Sequence, residues 1–106
     1  MRKHQELQVW QESMLLAEAV YGLTASFPAD ERFGLIGQMR RAAVSVPSNI
    51  AEGAARGSDK EFIHFLTIAR GSLSELDTQL ILSKKLGFAG EFSAIEPKLE
   101  SAFKLL

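Results

Sequence analysis

The most constraining feature of this 106-residue chain is an apolar stripe between residues 62 and 80. Its members recur at spacings of one, three or four residues, which places them on one side of an α-helix. They are Phe62, Phe65, Leu66, Ala69, Leu73, Leu76 and Leu80. Ser58 and Glu61 have the spacing of a capping box at the helix start, and Gly87 is expected to end it. A stripe this long needs other helices or a sheet to cover it.

Three further segments carry the same helical period. In the first, before Pro28, the apolar residues form one broad face, predicted to be buried: Trp10, Met14, Leu16, Ala17, Val20, Tyr21, Leu23 and Phe27. The second is expected to run to about Arg56 and to close at Gly57, with an apolar side made of Leu35, Ile36, Met39, Ala42, Ala43, Val46, Ile50 and Ala54. The last carries Phe92, Ile95, Leu99, Ala102 and Leu106.

Two prolines leave the helix boundaries open. Pro47 lies inside the second helix, where a proline costs about 3 kcal/mol and favours a kink. The alternative is a loop over residues 45–49 that splits two shorter helices. Pro97 is harmless if Ser93 is the N-cap of the last helix, whereas a start near Glu91 would kink that helix.

These patterns predict one all-α domain over residues 1–106, an antiparallel up-and-down four-helix bundle kinked near Pro47 in helix two. No segment alternates as a strand does. Cysteine is absent, and no apolar run approaches the roughly 18 residues of a membrane span. We therefore expect a cytoplasmic protein with no membrane association. The formal net charge of -1 gives no overall attraction to nucleic acid.

Catalytic signatures are missing from the sequence, so we expect no enzyme, no cofactor and no small-molecule substrate. The closest approach to a metal motif is Glu61 with His64, which is half of a carboxylate di-iron site. A second copy is lacking, and both residues fall on the helix side away from the apolar stripe. The favoured interpretation is a cap residue and a surface histidine.

Two sets of residues are candidates for interaction. The first is basic and could contact phosphates: Arg40, Arg41, Arg56, Lys60 and Arg70. The alternative is that these side chains pair with Glu52, Glu75 or Asp77 to tie helices together. The second set is a run of small residues on helix two and on a second face of helix three, the latter formed by Ile63, Thr67, Gly71, Ser74, Thr78 and Leu82. It indicates either a subunit interface or close packing within one chain.

Two stretches are distinctive, residues 38–53 (QMRRAAVSVPSNIAEG) and residues 69–76 (ARGSLSEL). Together with Val9-Trp10, Phe27-Pro28 and Leu86-Gly87-Phe88, they resemble the four-helix-bundle family of proteins encoded in bacterial 23S ribosomal RNA intervening sequences. The resemblance covers nearly the whole chain. Its characteristic polar positions are matched by Arg40, Arg41, Asn49, Glu52, Arg56, Ser72, Glu75 and Gln79.

The resemblance implies a protein without catalytic activity. It also implies relatives that form ring-like homopentamers, among them the accessory variability protein of diversity-generating retroelements, which binds nucleic acid and a reverse transcriptase. That relative is strongly basic, and this chain is not. We therefore expect a homo-oligomeric, pentameric scaffold that presents a repeated surface to a partner. The alternative is a protein that binds structured RNA or DNA through arginines around the oligomer.

Overall fold

The computed structural model describes residues 2–106. Four α-helices make up most of the chain: α1 (Gln8–Thr24), α2 (Gly37–Ala55), α3 (Asp59–Lys85) and α4 (Phe92–Leu105). A 3-10 turn at Lys3–Glu6 precedes α1, and a second 3-10 turn at Ala29–Glu31 and a π turn at Arg32–Ile36 join α1 to α2. Residues 2–106 contain no strand, so the predicted all-α, four-helix fold is confirmed. The molecule measures 43 × 22 × 22 Å.

One apolar core runs through all four helices. The contact between α2 and α3 is the most extensive, while α1 packs on α2 and α4. The apolar side predicted for the second helix is buried from Leu35 to Ile50, and α3 buries Ala69, Leu73, Leu76 and Leu80. Ile95, Leu99 and Ala102 complete the core from α4. The helical spacing therefore identified most of the core correctly.

The approach of α2 to α3 depends on Gly53. A Cβ atom there would lie 2.7 Å from the Cβ of Phe65 and 3.1 Å from Cδ1 of Phe62, so only glycine fits without displacing a helix. Further along the contact, the hydroxyls of Ser45 and Ser72 lie 2.9 Å apart and share a hydrogen bond.

The helix ends mostly follow the predicted signals. Ser58 Oγ accepts a hydrogen bond from the Glu61 N–H at 3.2 Å, but within residues 2–106 the carboxylate of Glu61 makes no return bond, so only half of the capping box forms. Gly57 and Gly87 have φ values of 81° and 76°, the left-handed conformation that closes a helix. The first helix ends at Thr24, earlier than the Phe27 that its apolar spacing indicated.

Pro47 lies inside α2, and Pro97 lies inside α4. Because α2 is continuous from Gly37 to Ala55, the loop proposed as an alternative around Pro47 is wrong. The interpretation of Ser93 as an N-cap is also wrong, since α4 begins at Phe92 with Glu91 as its cap. The helix therefore begins two residues earlier than an N-cap at Ser93 would place it, in agreement with the alternative start near Glu91, and Phe92 stacks on Phe27 with ring centroids 6.2 Å apart. Within residues 2–106, no helix combines the length and apolarity needed to cross a membrane.

Candidate interaction surfaces

Arg40 is held against the end of α1. Its Nε donates to Thr24 Oγ1 at 2.9 Å, and its Nη2 lies 3.4 Å from the Tyr21 carbonyl oxygen. The guanidinium also lies over the Tyr21 ring, 4.5 Å from the centroid. A cation beside the last carbonyls of a helix is favourable, because those groups carry the negative end of the helix dipole. Arg40 thus contacts the end of α1 within the chain.

Arg56 and Arg70 also have partners within the chain. Arg56 forms an ion pair with Glu52 at 3.0 Å, one turn earlier in α2, and lies over the Phe65 ring. Arg70 reaches α4, where it lies over the Phe103 ring and 3.5 Å from that residue's carbonyl oxygen. Of the predicted acidic partners, Glu52 is used; no ion pair of Glu75 or Asp77 occurs within the described residues.

Arg41 and Lys60 are exposed, and they are the basic candidates with no hydrogen bond or ion pair in the part of the chain that the structure describes. Arg41 lies in α2 and Arg56 is its C-cap, 15 residues further along the chain, a separation of about 22 Å along the helix. A single subunit therefore does not gather the five basic residues into one patch. Acidic Glu52, Asp59 and Glu61 surround Arg56 and Lys60 in the chain.

The polar positions matched to the family fall into separate groups. Asn49 Nδ2 donates to the Ser45 carbonyl oxygen at 2.8 Å and to Ser45 Oγ at 2.9 Å, which extends the Ser45–Ser72 bond between α2 and α3. Gln79 donates to Glu75 Oε1 at 3.3 Å within α3. Gln79 is only 6% exposed, and its Oε1 is buried without a hydrogen-bond partner.

Glu61 and His64 are both exposed on α3. The imidazole of His64 packs edge-on to the Phe65 ring, with centroids 5.4 Å apart. Among residues 2–106, no three His, Cys, Asp or Glu side chains lie close enough to hold a metal ion.

The small-residue face of α3 lies on the surface. We call it the α3 outer face: Ile63, Thr67, Gly71, Ser74, Thr78 and Leu82, all exposed. Ile63 is 61% exposed and Leu82 is 45% exposed. Thr67 Oγ1 donates to the Ile63 carbonyl at 2.9 Å, and Thr78 Oγ1 donates to the Ser74 carbonyl at 3.0 Å. The hydroxyls of Thr67 and Thr78 are therefore satisfied by their own helix.

A second surface lies between α1 and α2, and the sequence analysis missed it. This α1–α2 groove encloses about 540 Å³ and is lined by Trp10, Met14, Ala17, Glu18, Tyr21, Val44, Pro47, Ser48 and Ala51. Met14 and Tyr21 are partly exposed although their spacing predicted burial. The sequence signal that could have revealed the groove is the width of the apolar face of the first helix. That face is wider than the part of it that the neighbouring helices α2 and α4 cover.

The exposure of Phe33 is a further feature that the helical spacing did not indicate. It lies in the π turn before α2 and is 92% exposed, the highest value among the large apolar residues. The turn around it is well anchored: Glu31 Oε1 accepts a hydrogen bond from the Leu35 N–H at 3.2 Å, and Leu35 and Ile36 are buried. The phenyl ring therefore projects from a structured corner.

The fold and these surfaces define a class: small four-helix proteins with one apolar core and with open apolar patches on the surface. Within this class, the model of the 23S rRNA-intervening sequence protein family matches residues 5–106, and the chain belongs to that family. The resemblance inferred from its motifs is confirmed at this level. No individual curated protein matches the chain.

Proposed function

We propose that this protein is a non-enzymatic, homo-oligomeric scaffold whose subunits associate through the α3 outer face. The observation that carries the proposal is the environment of Gly71. A Cβ atom at this position would meet no heavy atom within 4 Å. Glycine inside a helix costs about 1 kcal/mol relative to alanine, and packing within this chain gives no reason for it. Close approach of a second subunit supplies one.

The rest of the α3 outer face supports the same role. From Ile63 to Leu82 it spans 19 residues, or about 28 Å of helix. Large apolar residues lie at both ends, and between them lie small residues, of which Thr67 and Thr78 donate their hydroxyls to the same helix. Small residues at the centre of a helix contact allow the backbones to approach closely.

The proposal includes an antiparallel bundle with a kink near Pro47. Contacts between α2 and α3 support the antiparallel arrangement: Gly53 meets Phe62 and Phe65, Ser45 meets Ser72, and Met39 Sδ accepts a weak hydrogen bond from Ser83. Along this contact, α2 residues with lower numbers meet α3 residues with higher numbers, which is the order expected for two helices that run in opposite directions. The missing amide hydrogen of Pro47 supports the kink.

The resemblance to the retroelement accessory protein implies a ring of five subunits. We propose that this ring is cytoplasmic. Such a ring would present each exposed surface five times to a partner protein or nucleic acid. A repeated surface of this kind binds through many weak contacts at once.

Light scattering coupled to gel filtration tests the proposal. We expect an oligomer at micromolar concentration. Ser74→Arg, which places a charged side chain at the centre of the α3 outer face, should shift the mass toward the monomer. Ser93→Arg changes an exposed serine on α4 in the same way and should leave the mass unchanged. A monomeric wild-type protein, or equal effects of the two substitutions, would contradict the proposal.

Binding of structured RNA or DNA is the second candidate function, and the free guanidinium of Arg41 favours it. A phosphate contact should make the affinity fall steeply as salt increases, because bound counterions are released. We expect Arg41→Ala to weaken binding and to reduce the salt dependence without affecting folding. Affinity that stays flat between low and moderate salt argues against this function.

A further inference from the structure

We propose that the α1–α2 groove is the docking site for the Phe33 corner, residues 30–34, of a second copy of this chain. This inference rests on the proposed oligomer and specifies a contact distinct from the α3 outer face. The groove and the corner are two separate surfaces of one chain. The groove of one copy would hold the corner of another copy.

The groove has the properties of a site for one large apolar side chain. Trp10, Met14 and Tyr21 line its α1 side, and Val44, Pro47 and Ala51 line its α2 side. Between Trp10 and Tyr21 it follows α1 for 11 residues, or about 16 Å. Its volume of about 540 Å³ lies within the roughly 300–1,000 Å³ range of binding pockets, which are lined mostly by apolar side chains.

The Phe33 corner offers an apolar side chain that the groove could hold. An aromatic ring that is 92% exposed is unfavourable in water, and a phenylalanine is the type of side chain that anchors protein interfaces. The turn that carries the ring is held by the bond from the Leu35 N–H to Glu31 and by the buried side chains of Leu35 and Ile36. The ring is therefore presented in advance, and little conformational entropy is lost when it docks.

Charge complementarity identifies the occupant as another copy. Glu18 is the charged residue that lines the groove, and it is exposed. Arg32, also exposed, is the immediate neighbour of Phe33. When Phe33 of one copy enters the groove of the next, an Arg32 guanidinium lies beside the apolar anchor and can reach the Glu18 carboxylate at the rim.

Docking of this kind repeats from copy to copy. A chain that inserts its Phe33 into a neighbour leaves its own groove open, so the next chain can dock in the same way. Contacts between two different surfaces close into a ring when the rotation between subunits allows it, and otherwise extend as a filament.

Cysteine cross-linking tests the contact directly, because the natural chain has no cysteine. We expect Glu18→Cys protein and Arg32→Cys protein, mixed and treated with a bis-maleimide whose spacer matches the reach of a Glu–Arg ion pair, to form a covalently linked heterodimer. Each single variant alone should not do so, and neither should Arg32→Cys mixed with Ser93→Cys. Equal cross-linking in the Ser93 control would overturn the inference, as would no cross-link between the first two.

Two further measurements use the intact contact. Phe33→Ala should weaken association roughly 10- to 150-fold, the equivalent of one buried phenylalanine. It should also shift the emission of Trp10, the single tryptophan, to longer wavelength. Leu105→Ala, which removes an exposed leucine outside the groove, should do neither. Glu18→Arg and Arg32→Glu should each weaken association, and the double variant should restore it.

Failure of this inference can be told apart from failure of the proposed function. A wild-type protein that is monomeric would contradict both the proposed function and this inference. An oligomer that persists unchanged in Phe33→Ala, with unchanged Trp10 emission, removes the groove contact and leaves association through the α3 outer face in place.

Discussion

Substituting alanine at two glycines of the same fold should change stability in opposite directions. Gly53 lies in α2 against α3, and a Cβ there would approach the Cβ of Phe65 to 2.7 Å, 0.7 Å less than the 3.4 Å at which ordinary contact begins. A Cβ is fixed to its backbone and cannot rotate away, so Gly53→Ala must push the two helices apart. At Gly71, by contrast, the new methyl group meets no heavy atom within 4 Å.

The magnitudes follow from two opposing terms. Overpacking a core contact costs typically 1–3 kcal/mol, and a clash between two Cβ atoms should lie near about 3 kcal/mol. Alanine recovers about 1 kcal/mol over glycine in a helix. Gly53→Ala should therefore lower the free energy of unfolding by about 2 kcal/mol, a fall in Tm of about 8–16 °C. Gly71→Ala has only the favourable term and should raise the subunit's stability by about 0.5–1 kcal/mol.

Urea denaturation followed by circular dichroism at 222 nm measures both values. The comparison should be made on dilute protein and repeated at a concentration where subunits associate. In dilute protein Gly71→Ala should be stabilising, and at high concentration the sign should reverse if Gly71 lies in a subunit contact. A Gly53→Ala protein as stable as the wild type would refute the argument that close helix approach requires this glycine.

Three further substitutions test single contacts by urea denaturation. Arg40→Ala should lower the free energy of unfolding by about 1–2 kcal/mol because it removes the bonds to the end of α1, whereas Arg41→Ala should change it little; equal losses would contradict this. Ser72→Ala should lower the free energy of unfolding by about 1 kcal/mol. In a double-mutant cycle with Ser45→Ala the two losses should be coupled, and strictly additive losses would exclude the hydrogen bond between the two serines. Gln79→Met removes a buried oxygen that lacks a partner among residues 2–106, and it also removes the bond from Nε2 to the exposed Glu75, so the two effects should roughly cancel; a loss above about 3 kcal/mol would exceed what that bond can supply and contradict this.

The core and the helix ends could be predicted because they depend on local signals. Spacing of three and four residues placed Leu73 and Leu76 in the core, and the left-handed tendency of glycine placed helix ends at Gly57 and Gly87. These features require only knowledge of how a helix repeats and where it can stop. The sequence left the start of α4 open between an N-cap at Ser93 and a start near Glu91, because local signals do not show the contact of Phe92 with Phe27, 65 residues away in the chain.

The candidate surfaces could be predicted less well, because a helical wheel shows which residues share a face but not how much of that face a neighbour covers. Trp10 and Tyr21 share the apolar side of α1 with buried residues, yet they line an open groove. Phe33 has no helical repeat around it, since it lies in an irregular turn, and its exposure follows from the anchoring of Leu35 and Ile36. Tertiary contacts decide each of these cases.

The position of Arg41 makes the two functional candidates compete for one surface. Arg41 lines a shallow hollow with Tyr21 and Val44, and both of those residues also line the α1–α2 groove. A second copy docked in the groove would therefore lie beside the guanidinium that favours phosphate binding. If both contacts exist, saturating nucleic acid should weaken the Glu18–Arg32 cross-link, and Arg41→Ala should abolish that competition while the cross-link itself persists. A cross-link that is indifferent to bound nucleic acid would place the phosphate contact elsewhere on the chain, with Lys60 as the remaining unpaired candidate.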